Sequence, residues 1–242
     1  MHRATEGFAR TADAYEQGRP GYPDATVDWL AARLGAGPVL DLAAGTGKLT
    51  RALAARGCDV VAVEPLDAMR AALAAAVPGV RALAGSAQAI PLPAGAVGAV
   101  TCAQAFHWFA GEEALAEIAR VLRPAGRFAI VFNARDVRQP IQARLDELFL
   151  AHRGDTPSHE SGAWRRAMAA TARFRPVGEH RAPYEQELTR AGLVARIGSV
   201  SFIATLPAAE RAAIAQRVAA LAPDDHVVLR YVTSTFLYER EA

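Results

Sequence analysis

The 242-residue sequence contains one lysine, Lys48, so 26 of its 27 basic residues are arginine. No block of five or six like charges occurs, and the formal net charge is only +2. A nucleic-acid arm needs such a block, and dispersed arginines read as a solvated surface instead. Cysteine is scarce as well. Cys58 and Cys102 lie among apolar residues in or beside expected strands, too few for a disulfide scaffold and placed like reduced core thiols. No apolar span reaches 18 residues, and the opening MHRATEGFAR has no apolar core of the signal-peptide kind. A soluble, cytoplasmic protein with no membrane partner is expected. His152 and His159 stand at no metal-ligand spacing from carboxylates or cysteines, and no metal is expected.

Hydrophobic residues make up 52% of the chain, enough for a sizeable core. Short apolar runs recur at 38–43, 60–64, 80–85, 97–104 and 127–133, with helical stretches at 49–56, 67–77 and 112–122 between them. Gly57 and Pro78-Gly79 supply helix stops, and the 112–122 segment begins with two glutamates and ends near Arg120 and Arg123, as the helix dipole favours. Buried strands alternating with helices of this length predict an α/β fold with a parallel sheet covered on both faces. Beyond Asn133 the pattern predicts helices at 140–150, after Thr189, and at 207–221, with strands at 174–188 and 227–238. Residues 134–173 read as an insertion or cap suited to substrate contacts. No repeat or linker divides the chain, so one domain over 1–242 is expected.

The turn DLAAGTGKLT, residues 41–50, is the most informative stretch. A phosphate-wrapping P-loop would need glycine where Leu42 stands and Ser or Thr where Leu49 stands. A dinucleotide fingerprint would need a third small residue after Gly45 and Gly47. An adenosine-bearing ligand suits the residues better. Gly45 and Gly47 let backbone approach a ligand closely. Asp41 can accept from the turn's own N–H groups, or through water from a cationic amino-acid moiety. Glu64, 19 residues past Gly45, can accept from both ribose hydroxyls and would repel a 2′-phosphate.

DLAAGTG followed by VVAVEP resembles motifs I and II of the class I S-adenosylmethionine-dependent methyltransferases. GSAQAIPLPAGAVGAV at 85–100 and VLRPAGRFAIVFN at 121–133 resemble the family's adenine-side loop and its fourth and fifth strands. AQAFHWF at 103–109, RPGYP at 19–23 and SVSFIATLP at 199–207 are similar to small-molecule members of the trans-aconitate methyltransferase type. The resemblance implies a Rossmann-like, doubly wound sheet of seven strands, the last antiparallel, with S-adenosyl-L-methionine across the carboxyl ends of strands one to four. It implies cofactor contacts from Asp41, Ala43, Gly45, Thr46, Gly47, Glu64, Pro65, Ser86, Ala87, Ala103 and Gln104. Residues 1–25, with Tyr15 and Arg19, are expected to fold over the cofactor. Three positions depart from the family pattern: Ala43 replaces a common glycine, Ser86 a common aspartate and Gly98 a common acidic residue.

Methyl transfer from a sulfonium is mainly a task of alignment and water exclusion. His107 could serve as a base for a hydroxyl or a donor to a carboxylate, or it could belong to an aromatic plug with Phe106 and Phe109. Trp108 could wall the substrate, and Trp164 with Arg165 or Arg166 could contact it. The expected activity is methylation of a small molecule at a carboxylate or hydroxyl oxygen. A nucleic-acid methyltransferase would need a stacking pocket and a basic path, and Ala103-Gln104-Ala105-Phe106 lacks the two-proline motif similar base-directed enzymes carry. A non-catalytic interaction protein would have no reason to keep the glycines and Glu64.

Overall fold

A computed structural model describes residues 18–241. In chain order the elements are α1 (Asp24–Ala31), β1 (Val39–Leu42), α2 (Lys48–Ala54), β2 (Val60–Val63), α3 (Asp67–Ala76), β3 (Arg81–Leu83) and β4 (Val97–Ala103). Then follow α4 (Glu112–Val121), β5 (Leu122–Arg135), α5 (Pro140–Arg153), α6 (Ala163–Ala170), β6 (Phe174–Leu188), α7 (Arg190–Gly198), α8 (Ser201–Ala204), α9 (Ala208–Ala219) and β7 (Val227–Arg240). All four residues of β1 and of β2 are buried. Covered faces on both sides are what the apolar run of β2 requires, and β1 follows it with Asp41 as its one polar member.

The seven strands form one sheet in the order β3-β2-β1-β4-β5-β7-β6. β1 pairs in parallel with β2 and β4, β2 with β3, and β4 with β5. Along β5 and β7, Arg127 pairs with Glu239 at 2.5 Å and Asn133 accepts from Thr233 Oγ1 at 2.7 Å. The partner number falls as the β5 number rises, so the last strand runs antiparallel, as expected. The reversal of order between β1 and β4 opens the crevice where ligands of such sheets bind, beyond the strands' carboxyl ends.

Two compact units are distinguished. The sheet unit comprises residues 22–133, 157–182 and 233–241, and the helical unit 18–21, 134–156 and 183–232. In the sheet unit, Leu40, Val63, Val100, Phe128 and Ile130 pack with Leu115 and Ile118 of α4 and with Trp164 and Met168 of α6. A second cluster, including Leu30, Leu49, Leu53, Val60 and Val131, joins α1 and α2 to the sheet. In the helical unit, Leu145, Leu148 and Phe149 of α5 pack with Leu193 and Ile197 of α7, Ile214 and Val218 of α9 and Tyr231. Thr189 caps α7 by accepting from Gly192 N at 3.1 Å, the start the sequence signalled.

The unit boundary departs from the cap read at 134–173. Residues 134–156 belong to the helical unit and 157–182 to the sheet unit. The reason is packing: the apolar stripe of α5 and that of α6 end in different cores. Helices α1, α6 and α8 were not anticipated either. Each is short, at eight, eight and four residues, and α6 buries only Trp164 and Met168. Two anchors in a polar stretch carry too little period to read. Among the described residues, no helix is long and apolar enough to cross a membrane, and no cluster of three metal-ligating side chains occurs.

Candidate active site

The turn after β1 is built from left-handed backbone. Ala43, Gly45 and Gly47 have φ of 56°, 58° and 83°. The two glycines serve different ends. A Cβ on Gly45 would meet nothing within 4 Å, so that face of the turn is open. A Cβ on Gly47 would lie 2.8 Å from Leu73 Cγ, so Gly47 is required by packing against α3. The sequence reading assigned both to ligand approach; only Gly45 has the open face. Thr46 is buried between them.

Glu64 follows β2 and is 5% exposed. Its Oε2 accepts from Gly45 N at 2.9 Å and its Oε1 from Leu66 N at 3.0 Å. The amide expected to reach Asp41 thus goes to Glu64. Burial raises the Glu64 carboxyl above its ordinary value, while the two backbone amides and Arg70 pull it down. Arg70 also ties the segment together through Nη1, which donates to Glu64 O at 3.0 Å. Pro65 beside it is exposed.

Asp41 is 1% exposed and sits inside the sheet rather than on its rim. Its Oδ2 accepts from Thr50 Oγ1 at 2.6 Å and its Oδ1 from Thr101 Oγ1 at 2.9 Å. Burial pushes its carboxyl up to about 6, against the opposing pull of those hydroxyls and the Thr50 amide. Asp41 therefore couples β1 to α2 and β4 through two threonines, partners that sequence spacing did not disclose.

The loop after β3 carries Ser86 and Ala87. Ser86 and Ala89 exchange backbone bonds, with Ala89 N donating to Ser86 O at 3.2 Å. Ala87 is buried with Ile90 in the sheet unit's core. The loop is held from α4: Glu117 Oε2 accepts from Ile90 N at 2.9 Å, and Arg120 donates to Leu92 O and Ile90 O. Glu117 and Arg120 themselves pair at 2.6 Å. This clamp was missed, because an i,i+3 pair on a helix looks like surface charge. Gly98 also finds its explanation. A Cβ there would lie 2.2 Å from Ala36 O, so no side chain of any charge fits.

At the tip of β4, Ala103 ends the strand and Gln104 takes φ 60°, its N–H donating to Val131 O at 2.8 Å. A non-glycine residue held in this region costs on the order of 1 kcal/mol and persists where the surroundings fix it. A short 3-10 turn, Phe106–Trp108, follows. Phe106 is fully buried against Phe128 and Phe109, the plug expected. His107 has its ring centroid 5.3 Å from Trp108, 5.8 Å from Phe132 and 6.1 Å from His159. His159 stacks on Phe132 at 4.9 Å with an interplanar angle of 15°. The two imidazoles, 52 positions apart in sequence, thus share one aromatic surface in the sheet unit.

Trp164, read as a substrate contact, is a core residue 1% exposed, and its Nε1 donates to His159 O at 3.0 Å. It supports the His159 backbone from beneath. The Arg165 guanidinium lies 4.5 Å above the Trp164 ring and 4.3 Å above that of Phe236. Tyr15 lies outside the described residues. Arg19 belongs to the helical unit, where its Nη2 donates to Ser199 O at 2.9 Å.

A family model described as a methyltransferase domain matches residues 40–130, the stretch from β1 through most of β5. Over 236 residues the chain is 41% identical to "Uncharacterized methyltransferase Rv3342" of Mycobacterium tuberculosis, covering 93% of this chain and 92% of that one. The chain belongs to the class I S-adenosylmethionine-dependent methyltransferases. The methyltransferase is also 35% identical to "Uncharacterized methyltransferase-like C25B8.10" of Schizosaccharomyces pombe, over 94% of this chain and 93% of that one. Among solved structures, the "Putative Type II Methyltransferase from Anaeromyxobacter dehalogenans" is similar with a TM-score of 0.68 and 25% identity. That alignment covers 91% of the methyltransferase and 97% of the other chain. Its cofactor is S-adenosylmethionine, and the turn fits one. Gly45 leaves its face bare, and Glu64 brings a carboxylate to that same turn.

Proposed function

We infer that this methyltransferase acts on a small molecule and places the methyl group on a carboxylate or hydroxyl oxygen. The observation that carries this reading is the His107–His159 pair, with ring centroids 6.1 Å apart beside Phe132. A neutral imidazole can take the proton from a hydroxyl, and an imidazole N–H can donate to a carboxylate. A carboxylate is already ionised at neutral pH and needs orientation only. Trp108 and Phe132 supply flat apolar surface for the body of the acceptor.

When bound, S-adenosylmethionine supplies an electrophilic methyl on its sulfonium. Glu64 is assigned the ribose hydroxyls and Gly45 the close backbone approach. Ser86 and Ala87 border the adenine edge, and Ala103 and Gln104 the methionine end. Asp41 holds the turn's underside through Thr50 and Thr101.

The test is product analysis. The protein is incubated with methyl-labelled cofactor and fractionated metabolites, and acceptors gaining one methyl are treated with mild alkali. A methyl ester releases methanol, whereas a methyl ether does not. Label carried on nitrogen or carbon would reject an oxygen acceptor. For a hydroxyl acceptor, His107→Gln lowers kcat by about 100-fold or more. For a carboxylate it acts mainly on KM.

A further inference from the structure

The loop at residues 84–96 joins β3 to β4 and carries Ser86 and Ala87. Its own backbone ties are few among the described residues. Ser86 and Ala89 exchange two bonds, at 3.4 and 3.2 Å, and Leu92 N donates to Ile90 O at 2.8 Å. Pro91 and Pro93 have no N–H to add. β3 gives little support, being three residues long with none of them fully buried.

Helix α4 supplies what the loop lacks, through two side chains one turn apart. Glu117 Oε2 accepts from Ile90 N at 2.9 Å. Arg120 Nη2 donates to Ile90 O at 2.9 Å, and its Nη1 to Leu92 O at 2.8 Å. One pair thus holds both the N–H and the C=O of Ile90. The pair is bidentate, with Arg120 Nε donating to Glu117 Oε1 at 2.6 Å and Nη2 to Oε2 at 2.8 Å. Only a planar guanidinium can serve the carboxylate and two carbonyls at once. On the loop's return limb, Arg120 O accepts from Gly95 N at 2.9 Å. All of these residues lie in the sheet unit.

Stabilisation alone accounts poorly for this arrangement. The Arg120 and Glu117 side chains are 36% and 22% exposed, and an i,i+3 ion pair at a helix surface adds little stability. Its bonds converge instead on one loop. Ala87 and Ile90 sink that loop's apolar side into the core, and the pair fixes the backbone from Ile90 onward. A loop that presents groups to a ligand binds better when it is ordered before the ligand arrives.

We propose that Glu117 and Arg120 are positioning residues for the base of the cofactor, holding the 84–96 loop so that the protein selects adenine. The inference rests on the reading above that Ser86 and Ala87 border the adenine edge. Both side chains act through the loop's backbone, not on the cofactor itself.

The test uses the full chain and reads binding. S-adenosylhomocysteine is titrated beside its inosine analogue, in which a carbonyl replaces the 6-amino group of the base. The ratio of the two affinities is independent of the folded fraction, so a loss of stability leaves it unmoved. Arg120→Met weakens S-adenosylhomocysteine by about 10-fold and lowers the ratio by at least about 5-fold. Arg120→Lys keeps the charge but not the fork, and falls between. Hydrogen exchange at the Ile90 and Gly95 amides speeds up in Arg120→Met, while that of β1 stays as in the wild type. Ser86→Phe tests the placement of the loop and weakens both ligands. If Ser86→Phe binds them as the wild type does, the loop does not border the base, and the placement fails together with the inference. If Ser86→Phe weakens binding while Arg120→Met keeps both affinity and ratio, the inference alone is overturned. A fall in affinity at an unchanged ratio in Arg120→Met makes the pair structural and overturns it as well.

Discussion

The backbone N–H of Gly45 donates to Glu64 Oε2 at 2.9 Å, joining the turn after the first strand to the end of the second. Loss of that carboxylate orphans two amides, those of Gly45 and Leu66, and removes the group proposed to hold the ribose. Glu64→Ala is expected to weaken S-adenosylhomocysteine binding by about 100-fold, and Glu64→Gln by about 10-fold. Isothermal titration reads both. Wild-type affinity in the alanine variant would remove Glu64 from the site.

Gly45 and Gly98 should separate binding from folding. At Gly45 an added methyl meets only open space, with a left-handed backbone cost on the order of 1 kcal/mol. Gly45→Ala should therefore fold and lose cofactor affinity by about 10-fold or more. Gly98→Ala drives a methyl into Ala36 O and should cost about 3 kcal/mol of stability. Its folded fraction should bind cofactor as the wild type does. Denaturant melts with parallel titrations check the pair, and a swapped pattern would contradict the assignment.

Ala43 carries a Cβ in left-handed backbone, φ 56°. Relief of that strain is worth about 1–2 kcal/mol and the added chain entropy of glycine opposes it by about 0.5–1 kcal/mol. Ala43→Gly should raise the Tm by roughly 1–2 °C. A fall on calorimetry would mean that the methyl makes contacts worth more than the strain.

Asp41 should make stability fall as pH rises. Its folded value of about 6 lies above its ordinary 3.8. Between these values the unfolded chain releases the proton first, so raising the pH favours unfolding. The loss is complete above about pH 6 and amounts to about 3 kcal/mol. Glu64, raised by burial, acts in the same direction. The stability of Asp41→Asn relative to wild type should therefore grow from pH 4 to pH 6 and then level off. Urea melts across that range test it, and a flat difference would contradict a buried carboxylate that titrates there.

Strand and helix succession was legible because each element has a local cause. The apolar run VVAV and the run VLDL, interrupted only by Asp41, read as covered strands, and Thr189 signals a helix start through its own side chain. The antiparallel last strand was reached through family likeness, not through periodicity. Within the site, Gly45 and Glu64 stood out by spacing, and the structure joins them by a hydrogen bond. Other features were hidden. Glu117 and Arg120 look like surface charge until they clasp Ile90 and Leu92, and Trp164 looks like a surface aromatic until α6 turns it into the core.

The sequence by itself determined the succession of strands and of the longer helices, the bare turn and the acid beyond it, since each depends on neighbours a few residues apart. Only the tertiary structure decided that Asp41 serves two threonines, that Gly98 yields to Ala36, and that His107 meets His159. Each of these joins or excludes groups distant along the chain. Such relations come from how elements stack, and local pattern carries no record of them.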